Sequence, residues 1–145
     1  MIAQTLVTFT LMMATLFQGA AWSHRNMNAR SGKMDNVLMG IWGGQHMRLE
    51  VSRNGASIEY DCAHGTIDQP MTLDSRGYFD VRGTHVTERG GPVREGERSD
   101  ALAARYTGRI QGETMTITIV LIDSKEIAGT FTLGYGKTPR LRKCL

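Results

Sequence analysis

"HMRLEVSRNGASIEYDC", His46 to Cys62, decides the fold. Met47, Leu49 and Val51 alternate with polar residues, which places them on one face of an extended chain. Asn54-Gly55 follows, the strongest short hairpin signal. A two-residue turn there pairs Val51 with Ile58, Leu49 with Tyr60 and Met47 with Cys62. Each pair is apolar and on the same face, so the register supports itself.

The same grammar continues outward. Ser75 to Gly77 reads as a three-residue turn that pairs Leu73 with Phe79 and Met71 with Val81, with a bulge at Pro70. A turn at Gln111-Gly112 pairs Tyr106 with Ile117 and Gly108 with Met115. One at Asp123 to Lys125 pairs Ile119 with Gly129 and Ile117 with Phe131. "GIW", Gly40 to Trp42, opens the first strand and "RLRKCL" forms the last. No stretch carries a convincing helical period. The expectation is all-β: a single eight-stranded antiparallel up-and-down barrel.

The inward set is Met47, Leu49, Val51, Ile58, Tyr60, Leu73, Phe79, Val81, Tyr106, Met115, Ile117, Ile119, Leu121, Phe131 and Leu133. Such bulk predicts a filled interior. Arg48, Glu50, Glu59, Arg105, Thr107, Arg109, Thr114, Thr116, Thr118, Thr130 and Thr132 face outward. Lipid would not accept that face, so an integral membrane barrel is excluded.

Residues 1–23 contain no charge, and an apolar run from Leu6 to Phe17 ends in small residues, the build of a signal peptide cleaved near Ala21 or Ser23. No Lys or Arg precedes the run, so an uncleaved membrane tether is the alternative. Residues 24–39 read as a flexible tether and 40–145 as the barrel domain. The net charge of +3 is spread through both signs along the chain, with a short basic tail from Pro139 to Lys143. A nucleic-acid partner would need a one-sided basic face, and none is seen. The 2 cysteines, Cys62 and Cys144, suit a disulfide in a secreted or periplasmic protein.

The G-x-W of "GIW" resembles the signature of calycins, the superfamily of lipocalins and avidins. The resemblance implies that Trp42 closes the barrel base under a cationic side chain from the last strand, here Arg142. It would put the Cys62–Cys144 bridge at the same base. The runs "WGGQH", "EYDCAHGTI", "GGPVREG" and "KCL" also resemble a group of small exported bacterial proteins without an assigned activity. More faintly, "YDCAHG" is similar to the start of membrane-bound C-type lysozyme inhibitors.

The candidate chemistry is sparse. Cys62 and His64 point to one side of one strand and could be a nucleophile and its base if the thiol is reduced. His46, His64 and His85 lie on three of the first four strands, but alternation turns His46 and His64 to opposite faces. Rim histidines are expected rather than a metal site. No phosphate-binding loop or cofactor motif occurs. Glu88 to Ala101 is the single long connection, and long loops are often functional. Register places Gln45 opposite His64, and His64 near Glu88. A site is therefore expected at Gln45, His46, His64, Glu88 and Arg89. The expected function is non-catalytic binding of a protein or small ligand at that rim. The alternatives are inhibition of a cell-wall hydrolase and a small enzyme using His64 with Glu88.

Overall fold

The computed structural model describes residues 35–88, 101–142 and 144. The expected signal peptide, most of the expected tether, Arg89 with the rest of the long connection to Asp100, Lys143 and Leu145 lie outside the described residues. Among the described residues ten strands follow in chain order: β1 Asp35–Asn36, β2 Gly40–Gly44, β3 Met47–Val51, β4 Ala56–Tyr60, β5 Ala63–Ile67, β6 Thr72–Leu73, β7 Tyr78–Thr87, β8 Leu102–Gln111, β9 Thr114–Leu121 and β10 Ile127–Tyr135. Eight close a barrel in the order β10-β2-β3-β4-β5-β7-β8-β9, each neighbour antiparallel. This is the up-and-down barrel that the alternation implies.

The eight strands are not allotted as expected. Gly44 pairs with Met47 and Tyr60 with Ala63, so two further hairpins fold at Gln45-His46 and Asp61-Cys62. They split the first two expected strands into four. Two other expected strands leave the barrel. Thr72 and Leu73 pair with Asn36 and Asp35 rather than with β7. Gly77 does take a left-handed φ of 82°, but Asp74 accepts the backbone N–H groups of Arg76 and Tyr78 at 2.8 and 2.9 Å. The turn is thus capped by a side chain instead of being continued by a ladder.

The C-terminal segment is not a barrel strand either. It turns back at Gly136 and crosses the outside of β2, where a side chain at Gly43 would strike the backbone of Lys137 and Pro139. Arg140 then donates to the Gly44 carbonyl at 3.0 Å and accepts from the His46 N–H at 2.8 Å. Residues 136–142 form a strap over the barrel wall.

Two registers are also displaced. Val51 faces Ala56, because the Asn-Gly signal lies in a four-residue loop closed by Ser52 on the Gly55 carbonyl. Gln111 faces Thr114, with Gly112 opening the turn. Both slips are of two residues, so every side chain keeps its expected face. The Ile119–Gly129 and Ile117–Phe131 pairs form as expected.

Twelve of the fifteen expected inward residues are buried, and Leu73, Leu121 and Phe131 pack half-buried against them. The barrel has two unlike ends. At one, residues 35–39 cross the opening: Val37 donates to the Met71 carbonyl at 2.9 Å, and both side chains are buried. Trp42 leans towards this closed end. Its Nε1–H donates to the Leu38 carbonyl at 3.0 Å, and the Tyr135 ring meets it edge-on at 5.2 Å. Tyr135 thus covers the indole where Arg142 was expected. The other end, here the mouth, carries the turns at His46, Cys62 and Lys125 and the facing ends of β7 and β8.

Candidate functional site

The mouth holds an open recess of about 390 Å³ above the packed interior. Its apolar wall is Ala63, Ile119, Leu121, Ala128 and Phe131; its polar groups are His46, Tyr60, Asp61, His85, Thr87 and Glu126. The volume lies in the range of ordinary small-molecule pockets.

His85 sits on the inner wall because β7 alternates inward through Phe79, Val81, Gly83 and His85. It is 8% exposed. Its ring is near-parallel to that of Tyr60, centroids 5.5 Å apart, and Tyr60 is near-parallel to Phe131 at 6.0 Å. Three flat rings therefore stack in sequence, with Tyr60 between the other two.

A chain of hydrogen bonds links two of those rings to Tyr106. Tyr106 donates its hydroxyl proton to the Thr84 carbonyl at 2.5 Å, and a carbonyl can only accept. With every link made, Tyr60 donates to the Tyr106 oxygen at 3.0 Å, and His85 Nδ1–H donates to the Tyr60 oxygen at 3.2 Å. The network thereby assigns the tautomer: Nδ1 carries the proton and Nε2 carries a lone pair. Thr87 Oγ1 stands 3.4 Å from that lone pair, a long contact. Gly65 makes the chain possible, since a Cβ there would overlap the Thr84 carbonyl and the Tyr106 hydroxyl and crowd that of Tyr60. Burial pushes the Tyr60 hydroxyl far above the ordinary tyrosine range and raises Tyr106 as well. Burial, helped by repulsion from His64, holds His85 below the ordinary histidine range, so its neutral form is favoured.

The rim is built by Asp61. Its backbone N–H donates to the His46 carbonyl at 3.2 Å. Oδ1 accepts the Arg142 N–H at 2.6 Å, and Oδ2 lies 2.5 Å from His46 Nδ1. The Arg142 N–H first and His46 second hold its carboxyl below the usual carboxylate range. One residue on, Cys62 is joined to Cys144, with Cα atoms 5.1 Å apart. Asp61 and the disulfide thus tie two hairpins and the strap into one rim, and the Cys62 thiol is not a nucleophile.

The expected site residues divide. His46 reaches the hollow. Gln45 bridges to Arg140 in the strap and does not meet His64. His64 and Glu88 do pair, Nδ1 to Oε1 at 3.0 Å, but on the outer wall, their side chains 47% and 44% exposed. Arg142 serves through its backbone, and Arg89 lies outside the described residues. Among the described residues, no three His, Cys, Asp or Glu side chains gather as a metal site, and no helix is long and apolar enough to cross a membrane. Sequence reasoning missed His85 as an inward group and Asp61 as the rim's organiser. Carrying the β7 alternation two steps past Val81 would have found the first. Comparison with known protein families, with characterised proteins and with solved structures returns no match to this chain.

Proposed function

We propose that this is an exported, non-catalytic binding protein that takes a small ligand in the barrel mouth. The hollow itself carries the reading: an apolar, ring-lined recess with a few convergent polar groups is the usual form of a small-molecule site. The disulfide and the uncharged, apolar N-terminal segment support an oxidising compartment outside the cytoplasm. Trp42 packs towards the closed end, as the resemblance to the G-x-W barrels implies. The His64–Glu88 pair faces water on the outer wall, a setting that suits a surface contact better than enclosed chemistry.

Titration of isotope-labelled protein with 2-naphthol tests the reading. Amide shifts should concentrate at His46, Ala63, His85 and Phe131 and spare Val37 and Met71. Ala128→Trp, which fills the hollow from its rim, should abolish them. Shifts scattered over the surface, or centred on the closed end, would refute the mouth as the site.

A further inference from the structure

The ligand's chemistry follows from what the mouth leaves unanswered. His85 is more than nine-tenths buried and lines the hollow. The hydrogen-bond chain through Tyr60 and Tyr106 commits its Nδ1–H inward and leaves Nε2 as an acceptor with only the long Thr87 contact. Thr87 therefore satisfies Nε2 only through a long, weak bond at 3.4 Å, and a ligand that donates at a shorter distance gains by replacing it. Beside it the rings of His85, Tyr60 and Phe131 stack in parallel, and half-buried Phe131, at one end of the stack, lines the hollow, where another flat ring can extend the stack. Among the described residues, no Lys or Arg side chain lines the hollow, whereas Asp61 and Glu126 do. An anionic head group would meet the wrong charge.

We infer that the mouth selects a flat, ring-bearing molecule, neutral or cationic, whose N–H or O–H donates to His85 Nε2. This inference rests on the mouth being the ligand site. Tyr60 and Tyr106 hold the imidazole from β4 and β8. The remaining titratable groups around it are His46 and Asp61 at the rim and Glu126 in the β9–β10 turn, with His64 acting on it from the outer face of β5. Proton uptake by His85 would turn Nε2 from acceptor to donor, so acid should release the ligand.

Indole and benzofuran test this on the intact protein, because they share a shape and differ in the N–H. Indole should bind about tenfold more tightly than benzofuran, the size of effect expected for one hydrogen bond in a buried site. Between about pH 8 and about pH 5, indole affinity should fall while benzofuran affinity stays level. His85→Phe should bring indole down to benzofuran; the wild-type comparison stands even if that variant fails to fold. Equal affinities, or a pH response shared by both probes, would overturn the His85 assignment and leave the mouth reading intact. Binding of neither probe at millimolar concentration would overturn both.

Discussion

The two ends of the barrel solve the same turning problem with different residues. Where the closed end needs a left-handed φ it uses glycine: Gly40, Gly77, Gly112 and Gly136. Where the mouth needs one it uses His46, Cys62 and Lys125, at φ of 67°, 58° and 60°. A side-chain-bearing residue in that region costs on the order of 1–3 kcal/mol, and such strain persists where the surroundings over-determine it. Two of the three explain themselves. His46 gains Asp61 and reaches the hollow, and Cys62 gains Cys144. The closed end is therefore built to fold, and the mouth to place particular side chains at some expense of stability.

The covalent link should dominate any attempt to break this contrast. The disulfide joins residues 82 apart in sequence, worth about 4–5 kcal/mol in the chain-entropy picture. Replacing both cysteines by serine should lower stability by that order in urea unfolding. Hydrogen exchange should then show the mouth opening first: the amides of His46 and Arg142, whose partners span rim and strap, should lose protection before that of Val37. Uniform loss at both ends would mean that the bridge acts only on the unfolded chain.

Core truncation probes the contrast without touching covalent bonds. Met71→Ala under the closed end removes a fully buried side chain and should cost about 3 kcal/mol. Leu121→Ala at the mouth removes a half-buried one that already borders the hollow, and should cost about 1 kcal/mol. Equal costs by chemical denaturation would show the mouth to be packed as tightly as the core.

Acid should act on the same side. His85 has a folded pKa below its ordinary value of about 6.5, so the unfolded chain binds the proton more readily. Its contribution is whole above that value and is lost as pH falls through the folded pKa. Asp61 has a depressed folded pKa and contributes stability above its ordinary value of about 3.9, lost as pH falls through the lower folded value. Both groups belong to the mouth. Asp74 and Asp80, also depressed, belong to the closed-end turn and the outer wall and follow the Asp61 sign. Stability should decline in two stages on acidification, the upper one removed by His85→Phe. A single decline confined to the carboxylate range would show that His85 does not titrate on unfolding.

The contrast also explains which parts of the architecture the sequence discloses. Alternation from Met47 to Val51 and from Met115 to Leu121 is strict, so faces are legible, whereas the count of eight agrees only because two hidden hairpins replace two expected strands that leave the barrel. Gly77 advertises its turn, and the Ile119–Gly129 register follows from the length of the Asp123–Lys125 turn. The hairpins at Gln45-His46 and Asp61-Cys62 carry no glycine, so the residue type that marks such a turn is absent where the mouth folds. With those hairpins hidden, Asp61 reads as a mid-strand residue, and its contacts to His46 and Arg142 cannot be foreseen. The inward position of His85 is readable from Phe79 and Val81. Its tautomer is not, because that depends on Tyr60 and Tyr106 meeting from β4 and β8, far apart in sequence. The strap alternates well enough to pass for a strand, and what turns it outward is the bare backbone at Gly43.

The smallest effect isolates backbone strain from everything else. Gly112 stands at the tip of the β8–β9 hairpin, with φ at 61° and no atom within 4 Å of where a Cβ would lie. Gly112→Ala therefore meets no neighbour and should lose about 1 kcal/mol through φ alone. Lys125 occupies a matching φ of 60° in an exposed turn at the mouth. Lys125→Gly should relieve its strain and raise stability by something under about 1 kcal/mol, part of the gain being offset by glycine's greater freedom in the unfolded chain. The two changes have opposite signs at the two ends, and paired thermal melts resolve them. If Lys125→Gly instead destabilises, the lysine side chain makes a contact that outweighs its strained backbone. The third left-handed residue of the mouth would then join His46 and Cys62 as one placed for its side chain rather than tolerated despite its φ.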